Sequence, residues 1–322
     1  MGLWLINADT LARGRFVISP LAEAVACLKL LERGTPSTPA DRVWLDDHLP
    51  DYRARLAADP ITALLIKSAL GRRWNADFLT PTPAGEGERP FHEELADVRA
   101  WPPDAVRDHL VRSLERPLPG VLSRRDDLAG RAAELLEWVW TQTVLPSWPR
   151  RRRIFEADAV ARTERLGQGG WAAALDELRP GMRWLGGGRL QVNMHHYPPR
   201  EIHNAQLLFV PVTPRTGWVS WEEPYRYAIV YPCAGPLAEA GRTPVPDALG
   251  RLLGSSRARV LLLLDTPKST TQLVALTGQG LGSVGRHLKI LLDAGVVARR
   301  RSGRSVLYFR TATGDMLVQA PR

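Results

Sequence analysis

The stretch LTGQGLGSVGRHLKILLDAGVVARRRSGRSVLYFRT, residues 276–311, contains the strongest fold signals in the carboxy-terminal part of the chain. Its apolar residues recur every three to four positions, which predicts a helix over residues 281–294. The inward positions of this helix are expected to be Val284, Leu288 and Leu291. Gly295 follows as a residue that adopts positive φ at a helix end. Two β-prone runs, 296–301 and 305–310, then predict a hairpin.

Further helical segments precede this stretch. Residues 248–253 and 257–265 are predicted to be helical, and a short helix capped by Ser269 or Thr270 leads into the glycine-containing turn 277–280. The order is therefore helix, helix, turn, helix, strand, turn, strand. This order predicts a winged helix–turn–helix over residues 249–322.

Positive charge is concentrated in the same region. Residues 249–322 contain twelve basic and three acidic residues, whereas residues 1–248 contain 31 of each, so the whole net charge of +9 comes from the last quarter. Arginines also crowd the predicted hairpin, where like charges repel one another unless a polyanion neutralises them. Charge of this kind is typical of a nucleic-acid-binding module, although a merely soluble basic domain remains the alternative.

The outward positions of the predicted helix and the hairpin give the candidate DNA contacts. They are Ser283, Gly285, Arg286, His287 and Lys289 on the helix, and Arg299, Arg300, Arg301 and Arg304 in the hairpin. Short and basic side chains suit close approach to base edges in the major groove, while hairpin arginines suit phosphates. The alternative for the charged residues is a solvated surface. For His287 it is a half-buried ring beside Leu291.

The rest of the chain is predicted to be mainly helical with a small β-rich part. Residues 16–33 have helical periodicity with Ser19 as N-cap and Pro20 at the first helical position. Further helical patterns lie near 40–58, 60–70, 91–99, 103–115, 127–144 and 154–178, and short β-prone runs at 190–193, 207–211, 217–221 and 227–231 predict a small antiparallel sheet. The predicted division is a helical domain at 1–180, a β-rich segment at 181–235, a linker at 236–248 and the winged helix at 249–322.

Composition narrows the class of protein. Two distant cysteines, Cys27 and Cys233, argue against a disulfide scaffold and a structural zinc site, and favour a reducing cytoplasm. No apolar run is long enough to span a membrane, and no secretory signal is evident. No nucleophile elbow, phosphate loop or cofactor motif is found, so neither an enzyme nor a bound cofactor is expected. His195, His196, Glu201 and His203 are a weak metal-site alternative to ordinary loop histidines.

The amino-terminal part is longer than DNA binding requires. All eleven tryptophans lie before residue 249. Aromatic residues line ligand pockets as well as filling cores, so a pocket for a small-molecule effector is expected within residues 1–235.

The carboxy-terminal sequence resembles the winged helix–turn–helix of the ArsR family. That family's recognition helix reads Val-Ser-x-His-Leu-x-x-Leu, followed by Ala-Gly-(Leu/Val)-Val. The corresponding residues are Val284, Gly285, Arg286, His287, Leu288 and Leu291, then Ala294, Gly295, Val296 and Val297, with Tyr308 ending the wing. The amino-terminal sequences FVISPLAEAVACLKLL and PFHEELADVRAWPPDAVRDHL more weakly resemble an uncharacterised domain that precedes such modules in actinobacterial regulators.

The resemblance implies a sequence-specific regulator of transcription whose partner is double-stranded DNA. It also implies that this regulator is a repressor. Gly285 and Gly280 replace the serines usual in the recognition helix and at its N-cap. Only residues 311–322 follow the wing, too few for the long helix through which small family members dimerise. A homodimer is therefore expected to form through the amino-terminal domain. An architectural or weakly specific nucleic-acid-binding protein is the alternative function.

Overall fold

The computed structural model describes residues 2–85, 87–175, 178–195, 197–233, 245–264, 267–302 and 305–319. Helix accounts for 56% of the described residues and strand for 17%, so the fold is mainly α with some β, as predicted. Packing groups the chain into two units. Unit 1 contains residues 1–148 and 174–232, and unit 2 contains residues 149–173 and 233–322. Most of the predicted linker, at 236–244, lies outside the described residues.

Helices make up most of unit 1, and each predicted helical segment is found. They are α1 (Ala8–Ala12), α2 (Pro20–Arg33), α3 (Pro39–Ala58), α4 (Pro60–Ala69), α5 (Phe91–Arg99), α6 (Pro103–Leu114), α7 (Gly120–Ser123) and α8 (Leu128–Val139). Short 3-10 turns at Asp77–Leu79 and Leu145–Ser147 and a π-helical turn at Trp140–Val144 complete this set. Helix α9 (Trp148–Leu175) then continues into unit 2, with a break at Gly170, where φ is 67°.

Helix α2 is the centre of the unit 1 core. Ser19 caps it by accepting a hydrogen bond from the Ala22 N–H, Pro20 takes the first helical position, and Gly34 ends it with φ 61°. Its side chains from Leu21 to Leu31 are buried almost without interruption. A helix with so many buried apolar side chains must be covered by other elements on most of its sides. It accordingly packs against α3, α5, α8 and one of the sheets.

Two four-stranded sheets belong to unit 1. The first has the order β3 (Arg183–Trp184), β4 (Arg189–Asn193), β1 (Gly2–Ile6) and β5 (Arg200–Ile202). The second has the order β2 (Arg15–Phe16), β6 (Gln206–Val212), β8 (Arg226–Pro232) and β7 (Trp218–Glu222).

Strands β4, β6, β7 and β8 lie where the sequence predicts them, whereas β1, β2, β3 and β5 were not predicted, and the expected small antiparallel sheet is wrong. Strand β6 pairs with β8 in parallel, and β1 pairs in parallel with β5 and antiparallel with β4. The physical reason is that the amino-terminal strands join both sheets, β1 the first sheet and β2 the second. A parallel pair requires a crossover, and β7 makes the connection between β6 and β8 while pairing at the edge.

Unit 2 contains the winged helix. Its helices are α10 (Asp247–Leu253), α11 (Ser255–Leu263), α12 (Thr270–Thr277), α13 (Leu281–Asp293) and α14 (Ala312–Gln319). Its strands are β9 (Lys268–Ser269), β10 (Val297–Ser302) and β11 (Ser305–Arg310), in the order β10-β11-β9. The predicted helix order and the hairpin are confirmed, and the helix that follows the wing has only eight residues.

No helix in the described part of the chain has the length and apolar character needed to cross a membrane.

Candidate nucleic-acid interface

The helix–turn–helix is built from local signals. Ser269 and Gln272 form a capping box at the start of α12: the Ser269 side chain accepts from the Gln272 N–H, and the Gln272 side chain accepts from the Ser269 N–H. Two backbone donors are thereby satisfied at the helix start. Gly278 ends α12 with φ 69°, a conformation that glycine adopts without steric cost. The chain then turns into α13, hereafter the recognition helix.

The recognition helix is sharply two-sided. Val284, Leu288 and Leu291 are buried, as predicted, and anchor it in unit 2 against α11, α12 and β10. The opposite side is exposed and carries Arg286 and Lys289. A helix held by one apolar side presents the other side to solvent, so these two cations are displayed on a rigid element.

Two glycines lie on the exposed side of the recognition helix. A Cβ atom added to Gly282 or Gly285 would meet nothing within 4 Å, and neither glycine has positive φ. Packing and backbone conformation in the described residues therefore do not require them, although glycine in a helix costs about 1 kcal/mol relative to alanine. The two glycines leave a strip of exposed helix backbone without side chains, hereafter the bare backbone, beside Arg286 and Lys289.

The amino-terminal end of the recognition helix is also accessible. Gly280 is its N-cap and provides no side-chain hydrogen bond. Helix-start N–H groups without a cap favour anions such as phosphate. Leu281, the first helical residue, is 64% exposed, which the sequence analysis missed because its spacing from Val284 suggests an inward position. An exposed leucine here is suited to contact a thymine methyl group.

Ser283 and His287 interact with each other. The Ser283 hydroxyl lies 3.3 Å from Nε2 of His287 and 3.4 Å from the side-chain oxygen of Gln279. Both residues are half-buried. Burial, followed by the charges of Arg257 and Arg286, lowers the pKa of His287, so its ring is neutral at pH 7. The geometry favours the half-buried alternative for His287 over a cationic phosphate contact.

The wing arginines point to two different faces. In the β10–β11 hairpin, Arg299 pairs with Tyr308 and Arg301 with Val306, whereas Arg300 pairs with Leu307. Side chains alternate along a strand, so Arg299 and Arg301 share one face and Arg300 lies on the other. The Arg300 guanidinium lies 6.0 Å from the centre of the Phe309 ring. A single groove of DNA therefore does not contact all three arginines in the same way. Arg304 lies outside the described residues.

Arg310, at the base of the wing, has a structural position. Its Nε lies 2.8 Å from the Asp315 carboxylate of α14, and its Nη1 donates to the Leu261 carbonyl of α11 at 3.5 Å. This arginine therefore ties the wing to the body of the winged helix.

The histidine-rich loop of unit 1 does not form a metal site in the part of the chain that the structure describes, where no three His, Cys, Asp or Glu residues converge. His203 lies 3.2 Å from Glu201, and His195 lines a cavity. His196 lies outside the described residues.

That cavity has a volume of about 660 Å³ and lies within unit 1. Its wall includes Trp4, Trp74, Trp218 and Trp221, together with several basic residues. A pocket lined by tryptophans in this part of the chain was expected from the sequence. Its basic residues were not singled out, because they are scattered between residues 29 and 200.

Comparison with protein families agrees with the geometry of unit 2. Residues 255–299 match the model of the bacterial regulatory protein, arsR family. The match covers none of the amino-terminal region, whose resemblance to actinobacterial regulators gains no support. No curated protein and no solved structure matches the chain. The matched residues run from α11 to the first wing arginine, and so the carboxy-terminal part of this chain carries an ArsR-type helix–turn–helix, the module of a DNA-binding transcription regulator.

Proposed function

We propose that this protein is a sequence-specific, double-stranded-DNA-binding transcriptional repressor that acts as a homodimer in the cytoplasm. It is not an enzyme, and a small molecule bound in unit 1 controls it. The observation that carries the proposal is the exposed side of the recognition helix, where Arg286 and Lys289 flank bare backbone on an ArsR-type module.

The contacts follow from the chemistry of that surface. Arg286 and Lys289 donate to guanine O6 and N7, the commonest base-specific contact of basic side chains. Gly282 and Gly285 allow the helix backbone to approach the phosphates closely, and the uncapped helix start favours a phosphate. Arg299 and Arg301 add backbone contacts from the wing, which raise affinity and its dependence on salt without specifying sequence.

The test is a pull-down of genomic fragments with the purified protein, followed by titration of the enriched site and a scrambled sequence at one salt concentration. A preference of about a thousandfold or more supports a specific regulator. Equal affinity for the two DNAs supports the architectural alternative, and no binding to either contradicts both. A palindromic footprint supports the dimer, because a two-fold protein binds two-fold half-sites.

The direction of control needs a second measurement. A reporter gene placed behind the enriched site should lose expression when the protein is supplied, and the R286A/K289A variant should leave expression unchanged. Increased expression with the wild-type protein would contradict repression while leaving specific binding intact.

A further inference from the structure

The cavity of unit 1 combines half-buried cations with an aromatic wall. Lys29 comes from α2 and Arg179 from the segment that follows α9, so chain regions 150 residues apart bring two cations to one cavity. The charge of Arg179 acts on Lys29. Two like charges held close together in a protein interior repel each other strongly, because the surroundings are less polar than water.

Both cations have few hydrogen-bond partners in the part of the chain that the structure describes. Nη1 of Arg179 is buried and has no hydrogen-bond partner among the described residues. Nζ of Lys29 donates one hydrogen bond, to Oδ1 of Asn75 at 2.9 Å, and lies 5.4 Å from the centre of the Trp218 ring. Burial lowers the pKa of Arg179 to about 10, and burial followed by the charges of Arg179 and Arg33 lowers that of Lys29 to about 8. An anion placed between them would remove this cost.

The acidic residues of the cavity do not supply that anion. Asp77 accepts hydrogen bonds from Trp74 Nε1 at 2.9 Å and from Arg112 at 3.1 Å. Glu201 is paired with His203. Both carboxylates are therefore engaged with residues other than Lys29 and Arg179.

The cavity also has an aromatic wall. The Trp74 ring lies edge-to-face with Trp221 at 5.2 Å and with Tyr197 at 5.8 Å between ring centres. The Arg200 guanidinium lies 4.2 Å from the centre of the Trp221 ring, which fixes that ring, and Arg200 is also paired with Glu223. Rings held in this way pack well against a further planar group.

The size of the cavity excludes a bare inorganic ion as its full occupant. A volume of about 660 Å³ falls within the range of small-molecule sites, about 300–1,000 Å³. A phosphate or sulfate would contact the cations and leave the aromatic wall empty.

We propose that this cavity binds a small organic anion, in which an aromatic ring system carries the anionic group. The anionic group lies between Lys29 and Arg179, and the ring packs against Trp74 and Trp221. The binding itself is independent of DNA recognition. Only the role of this ligand as the effector rests on the proposed function.

The test uses the full-length protein and a matched pair of probes, 2-naphthoate and its neutral amide, in isothermal titration calorimetry at pH 7. We expect the acid to bind at least about tenfold more tightly than the amide, because hydrogen bonds to charged groups are stronger than neutral ones. Equal affinity for the two probes, or no heat from either at millimolar concentrations, would overturn the proposal. Binding of inorganic phosphate as tight as that of naphthoate would overturn the aromatic part.

Variants assign the binding to the cavity. R179M and K29M should each weaken naphthoate binding by about tenfold or more and leave amide binding unchanged. Because R179M removes a charge whose buried Nη1 has no hydrogen-bond partner among the described residues, its melting temperature should not fall. R183M, at an exposed arginine outside the cavity, is the control and should bind naphthoate like the wild type. Unchanged binding in both R179M and K29M would overturn the assignment.

A DNA titration with and without naphthoate separates this proposal from the proposed function. Naphthoate binding with altered affinity for the enriched DNA supports the effector role. Naphthoate binding without an effect on DNA, or in a protein that does not bind DNA, leaves the anion site standing and overturns only that role.

Discussion

The two units of this protein hold their positive charges in opposite ways. In unit 2, Arg286, Lys289, Arg299 and Arg301 are exposed on a helix and a ribbon. In unit 1, Lys29 and Arg179 reach into a cavity, and burial lowers the pKa of each. Exposed charges attract a polyanion over a distance of about 10 Å and are screened by salt, whereas buried charges act at contact and are screened little. The same residue types thus form an exposed charged surface in one unit and line a cavity in the other.

The largest expected effect is on DNA binding by the exposed charges. R286A/K289A should lower affinity for the enriched site by on the order of a hundredfold or more, since each base contact of this kind contributes about 1–3 kcal/mol. Electrophoretic mobility shift at fixed salt measures it. The matched control is R42A/R53A, which removes two exposed arginines of α3 and should bind DNA like the wild type. Equal losses of DNA affinity in the two double variants would mean that only the net charge of the protein determines binding.

A second effect distinguishes the units by pH. Glu94 is buried, and this burial raises its pKa to about 7, although the Leu21 N–H at 2.8 Å and the Ser19 hydroxyl at 3.1 Å donate to its carboxylate. The folded state therefore binds a proton more tightly than the unfolded state, whose pKa is near 4.5. The stabilisation from this proton is complete below pH 4.5 and is lost as the pH rises through 7.

The E94Q variant removes this titration. Relative to E94Q, the wild type should lose about 1–3 kcal/mol of unfolding free energy between pH 5 and pH 8. Denaturant unfolding followed by tryptophan fluorescence reports on unit 1, because every tryptophan except Trp171 belongs to it. A difference in unfolding free energy between wild type and E94Q that does not change with pH would contradict the raised pKa of Glu94.

A third effect separates stability from binding within the recognition helix. G282A and G285A should each stabilise the helix by about 1 kcal/mol, seen as slower amide hydrogen exchange in Leu281–Asp293. They should also weaken DNA binding, because each adds a methyl group to the bare backbone. The contrasting variant is G278A, which should destabilise the unit, since Gly278 has φ 69°. Alanine variants that bind DNA as tightly as the wild type would contradict a close approach at these glycines.

The smallest effect concerns the wing. R299Q and R301Q should each reduce the slope of log K against log salt by about 0.9, the value for one lost phosphate contact. R300Q, on the other face of the hairpin beside Phe309, should change the slope less. Binding isotherms at several salt concentrations give the slopes. Equal reductions of the slope in all three variants would show that DNA contacts the two faces of the wing equally.

The sequence predicts unit 2 well because its signals are local. The Ser269 cap, the turn glycine Gly278 and the buried positions Val284, Leu288 and Leu291 all act within a few residues of their partners. The alternation of wing arginines could also have been predicted, because the period of a strand is two.

Unit 1 is different because its decisive contacts are distant in sequence. Strand β1 pairs with β4 and β5, about 190 residues away, and no local pattern in Gly2–Ile6 specifies those partners. Lys29 and Arg179 likewise share a cavity across 150 residues. The helices and the strands β4, β6, β7 and β8 were predictable, whereas the remaining strands, the sheet topology and the cation pair required tertiary structure.

Because the two units are interleaved along the chain, neither unit corresponds to one continuous segment of the sequence. Residues 149–173 belong with the winged helix, but unit 1 continues from residue 174 before the chain reaches residue 233. A gene fusion that transferred residues 233–322 alone would leave a part of unit 2 behind, and a protease cut in the predicted linker would not separate the two units cleanly. Arg179 lies only five residues after the chain re-enters unit 1, so the segment that supplies a cation to the cavity is covalently continuous with the helix shared by both units.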